Sequence, residues 1–130
     1  MANEYLKLRT KQFALRIIRM VGNLPKSHES KIIGNQILRS ATSVAANYRA
    51  SCLAKSKRDF INKLKIVEEE ADETMLWLEI IDELGYFHSE KMEPIKTEAN
   101  EIFSIVVASI KTARKNQTKN YQKNNPTNNH

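Results

Sequence analysis

Apolar residues recur every three or four positions over four stretches of this chain, and none alternates with the period of two that a strand needs. The first stretch, from about Glu4 to Val21, sets Leu6, Phe13, Ala14, Ile17 and Val21 on one face and ends at Gly22 and Pro25. The second, from about Ser30 to Leu53, turns Ile33, Ile37, Ala41, Val44, Tyr48 and Cys52 inward. The third opens at "SKRD", where Ser56 caps a helix and Asp59 takes the favourable first turn. Its core face is Phe60, Leu64, Val67, Ala71, Thr74, Leu78 and Ile81, and Gly85 stops it. The fourth begins between Ser89 and Glu93, tolerates Pro94 near its start, and aligns Ile95, Ala99, Ile102, Val106, Ile110 and Ala113. Four such helices with short connections predict an all-α, antiparallel up-down-up-down four-helix bundle over residues 1–115. Beyond it, "NQTKNYQKNNPTNNH" offers too little to bury, which predicts a disordered, Asn-rich basic tail over 116–130.

The third helix carries a second stripe. Ile66, Glu70, Glu73, Trp77, Ile80 and Leu84 are spaced by three and four residues, well away from the core face. Leu8, Leu15 and Ile18 repeat the theme on the first helix. Two readings are open: a broad face wedged inside one bundle, or a subunit interface anchored by Trp77. The run "LRSATSVAANYR" bears on the same question. Ala41, Val44 and Ala45 point inward, whereas Thr42, Ser43, Ala46 and Ala50 give the other side almost no bulk. Such a helix fits between its own core and a close neighbour. Leu8, Leu15, Ala46, Glu70, Glu73, Trp77 and Ile80 are therefore the candidate interface residues.

Charge sharpens the picture. Residues 7–65 hold 14 Lys and Arg against Glu29 and Asp59 alone, while residues 66–103 hold 12 acids against Lys91 and Lys96. Residues 104–130 add five bases and no acid, and with Glu4 near the start the net charge is +6. The segregation suggests a basic surface offered to an anion, an acid-to-base contact between subunits, or both. Tyr5, Arg9, Gln12, Arg16 and Arg19 form one stripe, Arg39 and Arg49 flank the small-residue run, and Lys55, Lys57 and Arg58 crowd a helix–helix corner. Arrays of this kind bind phosphate backbones through charge and counterion release. The candidate nucleic-acid set is Arg9, Arg16, Arg19, Arg39, Arg49, Lys55, Lys57 and Arg58, with no base-reading motif beside it.

Catalytic and metal-binding patterns are missing. His28, His88 and His130 fall in loops or the tail, no Glu-x-x-His pair exists, and Cys52 has no second thiol. "VEEEADET" is the one dense acidic cluster, and charge complement to a basic neighbour accounts for it better than acid–base chemistry. No cofactor, metal or catalytic residue is expected. The start "MANEYLKLRT" lacks an apolar leader, no run approaches a membrane span, and one cysteine suits a reducing cytoplasm.

The stretch "LRSATSVAANYRASCLAKSKRDFINKLKIVEEEADETMLWLEII", Leu38 to Ile81, resembles the four-helix-bundle proteins encoded in 23S rRNA intervening sequences. The matching positions are Arg39, Ser40, Ala41, Ser43, Asn47, Tyr48 and Arg49, then Ser56, Phe60, Lys63, Glu69, Ala71, Glu73, Thr74, Trp77 and Leu78. The pattern is compatible over about residues 4–115. Where relatives follow the asparagine with Ile-Ala-Glu-Gly, this chain has Tyr48, Arg49, Ala50 and Ser51, so a charge at Arg49 belongs to its own branch. The resemblance implies a cytoplasmic bacterial bundle that assembles as a homopentamer. It also implies kinship with the accessory variability proteins of diversity-generating retroelements, which bind nucleic acid and a reverse transcriptase. The resulting expectation is a non-enzymatic oligomer that binds RNA or DNA without reading sequence. The alternative is a scaffold for a protein partner such as a reverse transcriptase.

Overall fold

In a computed structural model, residues 2–124 are described, with side chains from Glu4 to Thr118. They form four helices and, among the described residues, no strand: α1 (Ala2–Val21), α2 (His28–Cys52), α3 (Lys57–Glu83) and α4 (Ser89–Asn124). Each helix packs on its neighbours in chain order, α1 closes the ring of contacts against α4, and the diagonal pairs do not meet. The α1–α4 seam is the thinnest of the four. This is the expected up-down-up-down bundle.

The helix boundaries follow from local chemistry. Ser27 is extended (φ −135°, ψ 166°), and its Oγ accepts from the Ser30 amide at 3.2 Å, so α2 starts ahead of the predicted Ser30. Ser56 does the same for α3, accepting from the Asp59 amide at 3.0 Å. Gly85, at φ +72°, supplies the left-handed residue that ends α3. At the other glycine that matters, a Cβ on Gly34 would come within 3.1 Å of Val21 Cγ1, so α2 approaches the α1–α2 connection closely there.

The core contains Leu6, Phe13, Ile17, Ile37, Ala41, Val44, Leu64, Val67, Leu78, Ile81 and the whole predicted α4 stripe. The α3 face opens one residue later than predicted: Ile61 is buried, and Phe60 is half-buried beside it. Val21, Ile33 and Cys52 are likewise half-buried, while Met20, Met92, Ser30 and Ser51 are buried. Apolar periodicity passes over the serines because hydroxyls hide inside helices by bonding the preceding turn. Ser51 Oγ donates to the Tyr48 carbonyl at 2.6 Å.

Among the described residues Ala113 is the last buried one, and α4 runs on to Asn124, into the stretch expected to be a tail. Nothing between Lys115 and Pro126 breaks a helix. The rest of the predicted tail, 125–130, lies outside the described residues.

Candidate nucleic-acid interface

The eight basic residues singled out by sequence fall into three groups. Arg9 is engaged inside the molecule. Its Nε and Nη2 donate to the two carboxylate oxygens of Glu98 at 2.7 and 2.6 Å, and Nη2 also reaches Glu101 at 3.0 Å. Both the Arg9 and Glu98 side chains are only 18% exposed. The two-pronged bond holds the Glu98 carboxyl below the usual range, against the opposing push of its own burial. It raises the Arg9 guanidinium in the same way. Tyr5 completes the cluster, with the guanidinium 5.9 Å from its ring centroid. Arg9 thus pins α1 to α4.

Arg39 is engaged too. Nη1 donates to Glu70 at 2.9 Å and Nη2 to Glu73, whose carboxylate lies 3.4 Å from Trp77 Nε1. Behind this network, the buried hydroxyls of Ser40 and Thr74 sit 2.8 Å apart across the same α2–α3 seam. Asn47 Nδ2 donates to Ser43 Oγ and to its carbonyl. The "LRSATSVAAN" run and the "EEADETMLW" run are therefore the two halves of one seam. Glu70, Glu73, Trp77 and Ile80 are half-buried along it. Within one chain the middle of the second stripe is thus partly covered, while its ends, Ile66 and Leu84, are exposed.

Arg16 and Arg19 are exposed and share a shallow cleft with Asn23 of the α1–α2 connection and Lys91 of α4. Among the described residues, neither has a carboxylate within 4.0 Å.

Arg49, Lys55, Lys57 and Arg58 are exposed at the opposite end of the bundle. The topology adds cations that sequence reasoning left out. Since α1 starts, α2 ends, α3 starts and α4 ends there, Lys7, Lys11, Lys63, Lys65, Lys111, Arg114 and Lys115 gather around the same pole. The side contacts agree. Lys7 and Lys11 line a groove with Arg49, and Lys57 lies against Thr112 and Asn116 of α4. Among the described residues, only Lys7 of these eleven bases has a carboxylate within 4.0 Å, that of Glu4. A signal was present in the sequence as paired basic blocks, but only the chain order through the bundle brings them together.

The remaining interface candidates line a groove that runs from this pole along the α1–α2 seam. Leu8, Leu15 and Ile18 are exposed along the α1–α2 groove, whose far wall is Thr42, Ala45 and Ala46. Ala46 is exposed, and its lack of bulk is what leaves the groove open. Among the described residues no group of three or more His, Cys, Asp or Glu side chains is placed to hold a metal ion, and no helix is long and apolar enough to cross a membrane. Tyr48, buried at the pole's edge, has its hydroxyl pushed up to about 12 by burial and then by Cys52.

Among curated proteins, none matches the chain. A crystal structure of a Bacteroides thetaiotaomicron protein of unknown function, from the S23 ribosomal protein family, is similar at 37% sequence identity with a TM-score of 0.79. The match covers 85% of this chain and 99% of that one. The family model for the 23S rRNA-intervening sequence protein matches residues 6–108, the span that contains all four helices' buried faces up to Val106, and the chain belongs to that family.

Proposed function

We propose that this protein is a non-enzymatic accessory factor that binds nucleic-acid backbone without reading base sequence, and that it does so as a ring-shaped homo-oligomer. The observation that carries the reading is the basic pole. Arg49, Lys55, Lys57, Arg58, Lys111, Arg114 and Lys115 are exposed together on helix ends and the α2–α3 connection, and among the described residues none has a carboxylate within 4.0 Å. A polyanion would supply the missing counter-charge and release its condensed ions. The family's name, after an intervening sequence of 23S rRNA, is compatible with RNA as that polyanion. Arg9 and Arg39 stand outside this site, because their carboxylate partners would have to be surrendered first.

Self-association rests on the exposed Leu8, Leu15 and Ile18 beside Ala46, three large apolar side chains gathered in one groove. A ring built from one repeated contact would present every basic pole on the same side. Binding to labelled RNA and DNA across a salt series tests the function. The expected result is little preference among unrelated sequences, with affinity that falls steeply as salt rises. Light scattering at the same concentration should report about five times the 15.0 kDa chain mass. Absence of binding to either polymer at low salt would transfer the function to protein scaffolding.

A further inference from the structure

Lysines recur at positions 111, 115, 119 and 123, four residues apart, and the α4 backbone carries that register without interruption to Asn124. At about 1.5 Å per residue, its 36 residues span about 54 Å, against about 40 Å for the 27 residues of α3 alongside. Lys57 and Phe60, at the start of α3, lie against Thr112, Ala113 and Asn116. Helix α4 therefore runs on past the end of its neighbour, and the basic pole is a platform with a helical arm rising from one edge.

Among the described residues, what the pole offers an incoming polymer is charge rather than stacking surface. Proteins that take single strands generally combine a basic groove with aromatic side chains on which bases stack. Here Tyr48 is buried, and Phe60 is half-buried with Lys57 Nζ 5.8 Å from its ring centroid. Tyr5 is exposed but sits beside Arg9 and the carboxylates of Glu98 and Glu101, which repel a phosphate chain. The described cations, by contrast, come off helix ends that are already packed together, so their spacing is largely set before binding. A duplex presents phosphates at fixed spacing, and a flexible single strand would have to be ordered to match.

We infer that the basic pole and the projecting α4 arm take duplex nucleic acid through its phosphate rows in preference to single strands. This rests on the nucleic-acid reading above. The acidic flank of α3, with Glu69, Asp72, Glu79 and Glu83 exposed, confines the duplex to the pole.

The full chain is titrated at one salt concentration against mixed-sequence duplex RNA, duplex DNA and the matching single strands, followed by anisotropy. Severalfold tighter binding to either duplex supports the inference, and the two duplex arms tell which polymer supplies the phosphates. On duplex DNA, Lys57→Gln with Arg58→Gln, Arg114→Gln and Lys115→Gln should flatten the log–log salt slope by up to about 3–4, at about 0.9 per lost contact. Circular dichroism confirms that the variant stays helical. Single strands bound as tightly as duplex overturn the inference while leaving nucleic-acid binding intact. So does an unchanged slope in the fourfold variant, or a loss of single-strand affinity in Tyr121→Ala larger than the loss for duplex. Failure of every polymer to bind at low salt overturns this inference and the function together.

Discussion

Arg9 and Arg39 each face two glutamates across a helix seam, and each was a natural candidate for a phosphate ligand by sequence. Their surroundings differ. Arg9 and Glu98 are both 18% exposed and joined by two parallel bonds, whereas the Arg39 side chain is 51% exposed. Arg9 closes the α1–α4 seam, the thinnest in the bundle, while Arg39 lies over the α2–α3 seam, where Ser40 and Thr74 already bond in the core behind it. An ion pair matters most where little else holds two helices together and where water cannot screen it.

Arg9→Ala tests the first half of that contrast and should have the largest effect. Removing one partner of a buried pair typically costs about 3–5 kcal/mol; the residual exposure of this one brings the expectation to about 2–3 kcal/mol. Tm at fixed protein concentration should fall by on the order of 10 °C. Pairing Arg9→Leu with Glu98→Leu should recover much of the loss, because the stranded carboxylate goes with its partner. A drop in the single variant no larger than about 2 °C would mean the seam is held by packing alone.

Next in size comes the pH dependence. Arg9 holds the Glu98 carboxyl below its unfolded value, so the pair's stabilisation is complete above that value and is lost as pH falls through the lower folded one. The stability gap between wild type and Glu98→Gln should be flat above about pH 5 and should narrow as the pH drops below about 4.3, the reference value for glutamate. Urea melts at closely spaced pH values measure it. A gap that stays constant down to pH 3 would assign the loss in Glu98→Gln to shape rather than charge.

These two clusters also mark where the sequence could be read and where it could not. The cap at Ser56, the stop at Gly85 and the α4 stripe from Ile95 to Ala113 were legible because each is decided within a turn or two of chain. Phe60 and Ile61 were not, since adjacent apolar residues at a helix start fit the period equally well and only the packed bundle decides that Ile61 is buried while Phe60 stays half-buried beside α4. The partner of Arg9 lies 89 residues away along the chain, beyond the reach of any local pattern. The acids opposite Arg39 were visible, but one chain cannot announce whether its carboxylates serve itself or a neighbour. The basic pole needed topology: its members come from all four helices, and only the alternation of helix direction stacks them at one end.

The smallest expected effect belongs to Arg39, and it reports on the neighbour question directly. An ion pair this exposed, measured by the cycle Arg39→Ala, Glu73→Ala and the double variant, should show a coupling of about 0.2–1 kcal/mol that fades as salt is raised. That value applies to the chain in dilution, with the α2–α3 surface facing water. If a second copy seats on the face that Arg39 shares with Trp77 and the exposed end residues Ile66 and Leu84, solvent leaves the pair and screening weakens. The coupling should then rise with protein concentration and lose its salt sensitivity, while the Arg9–Glu98 coupling, already shielded within one chain, stays the same. A coupling at Arg39 that is small and salt-sensitive at every concentration would leave this face outside any assembly and confine self-association to the groove beside Ala46.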